Sequence, residues 1–239
     1  MSATPLSPDE VQVWRVDVPS DPAALARLAG ALPAHERAWA ERLRPGGPRG
    51  GFVTARSALR RLLAARLGCA PRDVPLETGP RGKPELERAA GARLRFSVSH
   101  SGGVALLAIA AQPVGVDVEA ARRVHDPLAL AARFFSPAER AAVQRAPAAE
   151  RERRFLELWT AKEAALKVSG VGLPGLADVE VTAGPDGAAC AVGPRGHRWA
   201  LRALDAAPGC VAAIAAVRLP ARLDVLHANG TASWSLGDG

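Results

Sequence analysis

Apolar and polar residues alternate over Val11–Val18 (VQVWRVDV), the period of a strand with one buried face. The next stretch, Pro22–Arg44, spaces Ala and Leu as a helix does, until Pro45, Gly46, Gly47, Pro48, Gly50 and Gly51 interrupt the pattern. Phe52–Leu67 resumes the helical period and stops at Gly68, a natural C-cap. A Pro- and Gly-containing connection, Pro71–Ala92, leads to two strand-like runs, Leu94–Val98 and Val104–Ala110.

The same order returns. Val114–Val118 reads as a strand, and Ser136-Pro137-Ala138-Glu139 opens a helix with a capping serine, a proline in the first turn and a glutamate three residues after the cap. A long helical pattern covers Arg151–Val168 and ends at Gly170; Ala177–Thr182, Trp199–Leu204 and Cys210–Val217 read as strands, with Pro185-Asp186-Gly187 as a turn.

Letters match as well as order. Pro33–Ala38 resembles Pro137–Ala141, Thr54–Ala58 resembles Thr160–Ala164, and Val104–Ala110 resembles Val211–Val217, at offsets of 104, 106 and 107 residues. Similarly composed Ala/Arg helices would give isolated matches, but three in one order predict an internal duplication. The expected architecture is α+β: two similar α/β halves, residues 1–112 and 113–239, related by a pseudo-twofold axis. The ligand cleft is expected between them.

Composition narrows the chemistry. The chain has 239 residues, 48% of them hydrophobic and 4% aromatic, so it can bury a light aliphatic core. Its three cysteines include no CxxC pair, which argues against a disulfide framework or a zinc site and for a reducing cytoplasm. The N-terminus carries no basic, apolar leader, and no apolar run approaches the ~20 residues a membrane helix needs. The formal charge is +7, yet only Lys83, Lys162 and Lys167 of the 31 basic residues are lysines. A chain that otherwise uses arginine keeps lysine where a compact ammonium is required, as beside a phosphate or a metal.

Asp117 and Glu119, in Gly115-Val116-Asp117-Val118-Glu119, are two apart on a strand and share one face. Paired acids there suit a hard cation such as Mg²⁺, with a third acid to complete the set; solvated acids at a strand end are the plain alternative. Glu163 and Lys167 are four apart on one helix face, an arrangement that as a surface ion pair would contribute ~0.3–0.5 kcal/mol. Lys83 lies in Gly79-Pro80-Arg81-Gly82-Lys83-Pro84, a loop suited to an anion but without Walker spacing, and His100 follows Ser97 and Ser99 at a strand end. Neither GxGxxG after a strand nor GxSxG is present.

Gly82-Lys83-Pro84, Phe96-x-x-Ser99-His100-Ser101, Gly115-Val116-Asp117-Val118-Glu119 and Trp159-Thr160-Ala161-Lys162-Glu163-Ala164-Ala165-Leu166-Lys167, in this order, resemble the Sfp-type 4′-phosphopantetheinyl transferases. The resemblance covers residues 10–217 and implies the fold of that family, a pseudo-dimer of two α+β halves. It also implies Mg²⁺-dependent transfer, with Mn²⁺ as a substitute, of the phosphopantetheine arm of coenzyme A to a serine of an apo acyl or peptidyl carrier protein. By that resemblance Asp117, Glu119 and Glu163 hold the metal, Glu163 is the base, and Lys167 stabilises the pyrophosphate with Lys162 beside it. Lys83, Ser99 and His100 grip the adenine and 3′-phosphate end of the coenzyme, with Arg56 and Arg49 as further basic contacts.

The chain departs from the family at Ser97, where Asn is common, and in the Pro/Gly insert 45–51. The segment Gly170–Leu173 corresponds to the carrier-docking region and suits an acidic amphipathic helix. The chain is expected to be a cytoplasmic monomer. Two other readings compete: an inactive coenzyme-binding relative, opposed by the intact acids, and a basic nucleic-acid-binding module, opposed by scarce aromatics and scattered arginines.

Overall fold

The long apolar runs become strands buried on both faces. In the computed structural model, which describes residues 6–79, 83–87, 94–121, 123–170, 173–184 and 188–228, β1 (Val11–Asp17) is followed by α1 (Pro22–Gly30), α2 (Ala34–Arg42) and α3 (Gly47–Leu67). A short hairpin of β2 (Leu76–Thr78) and β3 (Pro84–Leu86) precedes β4 (Arg95–Ser101) and β5 (Val104–Ala110). The second half runs β6 (Val114–Ala120), α4 (Pro127–Phe134), α5 (Pro137–Arg145), α6 (Arg151–Ser169), β7 (Glu180–Ala183), β8 (Ala189–Val192), β9 (Arg198–Leu204) and β10 (Cys210–Ala216). A last strand, β11 (Val225–Ala228), returns to the first half.

Two larger sheets result, ordered β11-β1-β5-β4 and β6-β10-β9-β8-β7, and every pair within them is antiparallel except β11 with β1. Strand alternation assigns their faces. Val11, Val13, Leu106 and Ala108 of the first sheet pack with Val116, Val118, Ala212 and Ile214 of the second in one shared core. The opposite faces take a helix each: Trp14, Val16, Leu107 and Ile109 lie against Leu59, Leu62 and Leu63 of α3, and Ala213 and Ala215 against Ala164 and Ala165 of α6. The order from one side of the protein to the other is helix, sheet, sheet, helix.

Both halves repeat one plan. The first strand pairs with the last of its unit, β1 with β5 and β6 with β10, and α3 and α6 end at left-handed glycines, Gly68 (φ 67°) and Gly170 (φ 71°). Glu36 and Glu139 are both the third residue of their helix, while Arg60 and Lys162 both stand eight residues before the terminal glycine. Each glutamate pairs with its half's base inside the protein, at 2.7 Å in both cases. This equivalence aligns Arg60, not Arg56, with Lys162, so the letter match between the two long helices is out by one turn.

Several boundaries move. Pro22–Arg44 is two helices, because Pro33 disfavours helical backbone at the residue before it and α2 starts beyond it. The Gly/Pro insert does not end where expected: α3 begins at Gly47, since Pro48 in a first turn removes only an N–H that has no helical partner. Residues 173–178 form a 3₁₀ turn before β7. The turn expected at 185–187 lies outside the described residues. Residues 225–228 belong to the first sheet, so the tail crosses back over the expected boundary at 112.

Candidate active site

Gly115 sets the site's depth. A Cβ at this position would lie 1.9 Å from the Ala164 carbonyl oxygen and 2.9 Å from the Val168 amide nitrogen, so only glycine lets α6 lie this close to β6. Close approach carries Glu163 and Lys167 down beside Asp117, two residues further along β6. Asp117 is buried; its Oδ1 accepts from Lys167 Nζ at 2.7 Å and from Ser99 Oγ at 2.7 Å. Its Oδ2 is buried without a partner, a costly state for a carboxylate oxygen.

The ammonium of Lys167 also donates to Val116 O (2.9 Å) and Val98 O (3.4 Å), so one cation ties α6 to both β6 and β4. Half-buried Glu163 is pushed up to about 7, first by loss of hydration and then by the charges of Asp117 and Glu119, against the opposing pull of Lys167. Such a carboxyl is half protonated near neutrality, the condition of an acid–base catalyst.

β4 runs beside β6 in parallel, joined by side chains. The hydroxyls of Ser97, Ser99 and Ser101 accept from the amides of Val116 (3.1 Å), Val118 (3.4 Å) and Ala120 (3.0 Å), a constant shift of 19 residues. The next residue along β4, His100, packs on α3 where Gly51 leaves room: a Cβ there would meet the imidazole Nδ1 at 2.5 Å. Loss of hydration, with the charge of Lys167, holds His100 below the usual imidazole value and therefore neutral at pH 7.

His100 and Arg56 line one pocket of about 400 Å³ with Trp39, Phe52, Pro84 and Val98. Arg56 lies over the Phe52 ring at 5.4 Å and 3.4 Å from Glu36, and burial lowers its pKa. Lys83 Nζ donates to the Lys167 carbonyl oxygen (2.8 Å), and burial followed by the Lys167 charge lowers its pKa.

Two expected coenzyme contacts are placed elsewhere. Lys162 is fully buried; its ammonium bonds Glu139 Oε2 (2.7 Å) and the Val179 carbonyl and lies 5.2 Å from the centre of the Phe135 ring. The other glutamate oxygen accepts from Val181 N (2.7 Å), so the pair joins α5, α6 and the start of β7. Arg49 spends its guanidinium on the carbonyls of Ala40, Glu41 and Leu43 at the end of α2. In both cases the charge satisfies backbone or buried acid and is turned away from the cleft.

Lys162→Met should therefore act on stability, costing about 3–5 kcal/mol by leaving Glu139 buried without its cation. Urea denaturation checks this, and Glu139→Gln with Lys162→Met should recover part of the loss. Of the expected docking segment, residues 171 and 172 lie outside the described residues.

Sequence reasoning missed the roles of Glu36 and Arg60, the hydroxyls of Ser97 and Ser101, and Gly51. For the serines the signal was present: three hydroxyls at alternate strand positions share one face.

An α+β protein with paired strand acids, a glutamate of raised pKa and a lysine on one helix face fits a phosphoryl-transfer site. A family model described as the 4'-phosphopantetheinyl transferase superfamily matches residues 113–215, which contain all four groups. The chain is 35% identical over 210 residues to the 4'-phosphopantetheinyl transferase HetI of Nostoc sp., covering 87% of each chain. It is also 35% identical to the 4'-phosphopantetheinyl transferase psf-1 of Bacillus pumilus (48% of each chain) and 34% identical to Sfp of Bacillus subtilis (42% of this chain, 43% of that one). The chain belongs to the 4'-phosphopantetheinyl transferase family.

Proposed function

We propose that the protein transfers the phosphopantetheine arm of coenzyme A to a serine hydroxyl of an apo acyl or peptidyl carrier protein and releases adenosine 3′,5′-bisphosphate. The observation that carries this is Glu163, raised to about 7 beside Asp117 and Glu119 and one helical turn from Lys167. The serine oxygen forms a bond to the phosphorus bearing pantetheine, the bond from that phosphorus to the bridging pyrophosphate oxygen breaks, and Glu163 takes the serine proton. Lys167, fixed by three hydrogen bonds, supplies standing positive charge next to the leaving group. In this reading His100 and Arg56, which line one pocket with Pro84, hold the adenosine end of the coenzyme together with the neighbouring Lys83.

Among the described residues no group of three or more His, Cys, Asp or Glu side chains is arranged as a metal cage. Mg²⁺ does not require a preformed cage: protein carboxylates take a few of its octahedral positions, and water and phosphate oxygens fill the rest. The unpartnered Asp117 Oδ2 and the crowding that raises Glu163 fit such an ion. Asp117, Glu119 and Glu163 are the residues that would hold it, and when bound it adds positive charge at the phosphates.

The test is incubation with coenzyme A, Mg²⁺ and a panel of apo carriers drawn from fatty acid, polyketide and nonribosomal peptide synthesis. A carrier gaining one phosphopantetheine unit by mass is the expected result; no gain with any carrier overturns the proposal. In the same assay Lys83→Ala should raise the KM for coenzyme A roughly tenfold or more, the loss of a hydrogen bond to a charged group, with a smaller change in kcat. We also propose a cytoplasmic monomer, consistent with three cysteines and no CxxC pair and with site residues drawn from both halves of one chain.

A further inference from the structure

The seam between β4 and β6 carries more than structure. Each serine hydroxyl can accept one amide bond and donate one proton, and the direction of the donated proton distinguishes the three. Ser99 accepts from Val118 N and donates to Asp117 Oδ1; Ser101 accepts from Ala120 N and donates to Glu119 Oε2 at 3.3 Å. Ser97, buried at the other end, accepts from Val116 N opposite a stretch of β6 where the residue on the acid face is Gly115. The hydroxyl therefore grips a strand by its amide and, in two of three cases, grips the acid one residue before that amide.

We infer that Ser99 and Ser101 are positioning residues for the two strand acids, each fixing one carboxylate oxygen by the proton it donates. The assignment for Ser99 differs from the coenzyme contact expected of it: its proton is already committed to Asp117 at 2.7 Å, and Asp117 Oδ2 is left as the buried oxygen without a partner. Ser101 is the sharper case because no coenzyme role was expected of it. A hydroxyl placed behind a cation-binding carboxylate tunes affinity without touching the ion, and removing such a group typically costs ~10–100-fold in metal binding. Lys167 completes the arrangement from the helix side by holding the Val98 and Val116 carbonyls, so the strand acids are steadied from both directions.

The inference rests on the proposed reaction only for its catalytic readout. Ser97→Ala breaks a seam bond and leaves both carboxylates held; Ser101→Ala breaks a seam bond and releases Glu119. Both variants should lose similar thermal stability. Mn²⁺ binding, followed by electron paramagnetic resonance on the protein with adenosine 3′,5′-bisphosphate present, should weaken by about tenfold or more in Ser101→Ala. It should change little in Ser97→Ala and return toward the starting value in Ser101→Thr, which keeps the hydroxyl. In the transfer assay the half-saturating Mg²⁺ concentration should rise in the same order.

If Ser101→Ala binds Mn²⁺ as the unaltered protein does, or weakens no more than Ser97→Ala, the serines are a structural seam and the inference fails. If the unaltered protein transfers nothing to any carrier, the proposed reaction fails, while the Mn²⁺ series still decides the role of Ser101.

Discussion

Glu163→Gln is expected to reduce kcat for carrier modification by on the order of 10²–10⁴-fold, the usual contribution of a positioned general base, while coenzyme A remains bound. The substitution keeps size and shape, so a loss caused by the missing base can be separated from unfolding by melting temperature. That temperature should rise. Glu163 titrates at about 7 in the folded protein, above its ordinary 4.5, so folding favours the protonated form and stability falls as pH climbs through this interval. At neutral pH the carboxylate is a destabilising group, and an amide removes the charge that burial, Asp117 and Glu119 disfavour.

The same shift gives the rate its pH dependence. Below about 7 Glu163 is increasingly protonated and unable to accept the serine proton, so kcat should fall toward acid. Added Mg²⁺ should move that limb to lower pH, because a nearby cation favours the ionised carboxylate. An undiminished kcat in the glutamine variant would remove Glu163 as the base.

Gly115→Ala should be nearly as damaging to activity and far worse for stability. The new methyl would fall 1.9 Å from the Ala164 carbonyl oxygen and 2.9 Å from the Val168 amide. Both atoms are backbone, so no side chain can swing aside and α6 must lift from β6. Overpacking of this kind costs ~1–3 kcal/mol or more, and a displacement near 1 Å at the reacting groups is enough for ~10²-fold in rate. Gly30→Ala is the matched control, since nothing lies within 4 Å of a Cβ there. Steady-state kinetics and thermal melts on the two variants check the expectation, and an unimpaired Gly115→Ala would mean that the helix-to-strand approach does not set the site.

Periodicity made the long elements legible: β1, β5, β6, β10 and α6 lie close to where the pattern put them, and α3 ends where expected although it starts earlier, at Gly47, because each buries enough apolar surface to leave a pattern. Short elements left none. The three- and four-residue strands β2, β3 and β8 owe their existence to partners, and β11 owes its own to β1, more than two hundred residues earlier.

What the sequence offered for the candidate site was a set of residue types and their strand and helix positions. Asp117, Glu119, Glu163, Lys167, Lys83 and His100 lie near the β4–β6 seam and α6, whereas Lys162, expected beside the pyrophosphate, is buried on Glu139. The ammonium there sits between Glu139, the Val179 carbonyl and the Phe135 ring, a place that Arg60 takes on Glu36 in the first half, and a composition count cannot distinguish such a pocket from a phosphate. Likewise part of the chain's basic excess is internal, since Arg60 is buried on Glu36 and Arg49 bonds the carbonyls at the end of α2.

The repeated plan of the two halves bears on stoichiometry. Placing β1 over β6 sets Trp14 and Val16 where the second half has Asp117 and Glu119, and placing α3 over α6 by their terminal glycines sets Arg61 and Ala65 where it has Glu163 and Lys167. The edge of β1 that corresponds to the serine-lined edge of β6 is occupied by β11. In the first half Trp14 and Val16 thus pack against α3, while the second half carries Asp117 and Glu119 at the corresponding strand positions. The proposed function therefore predicts one coenzyme bound per molecule and not one per half, a ratio that calorimetric titration with coenzyme A would read directly.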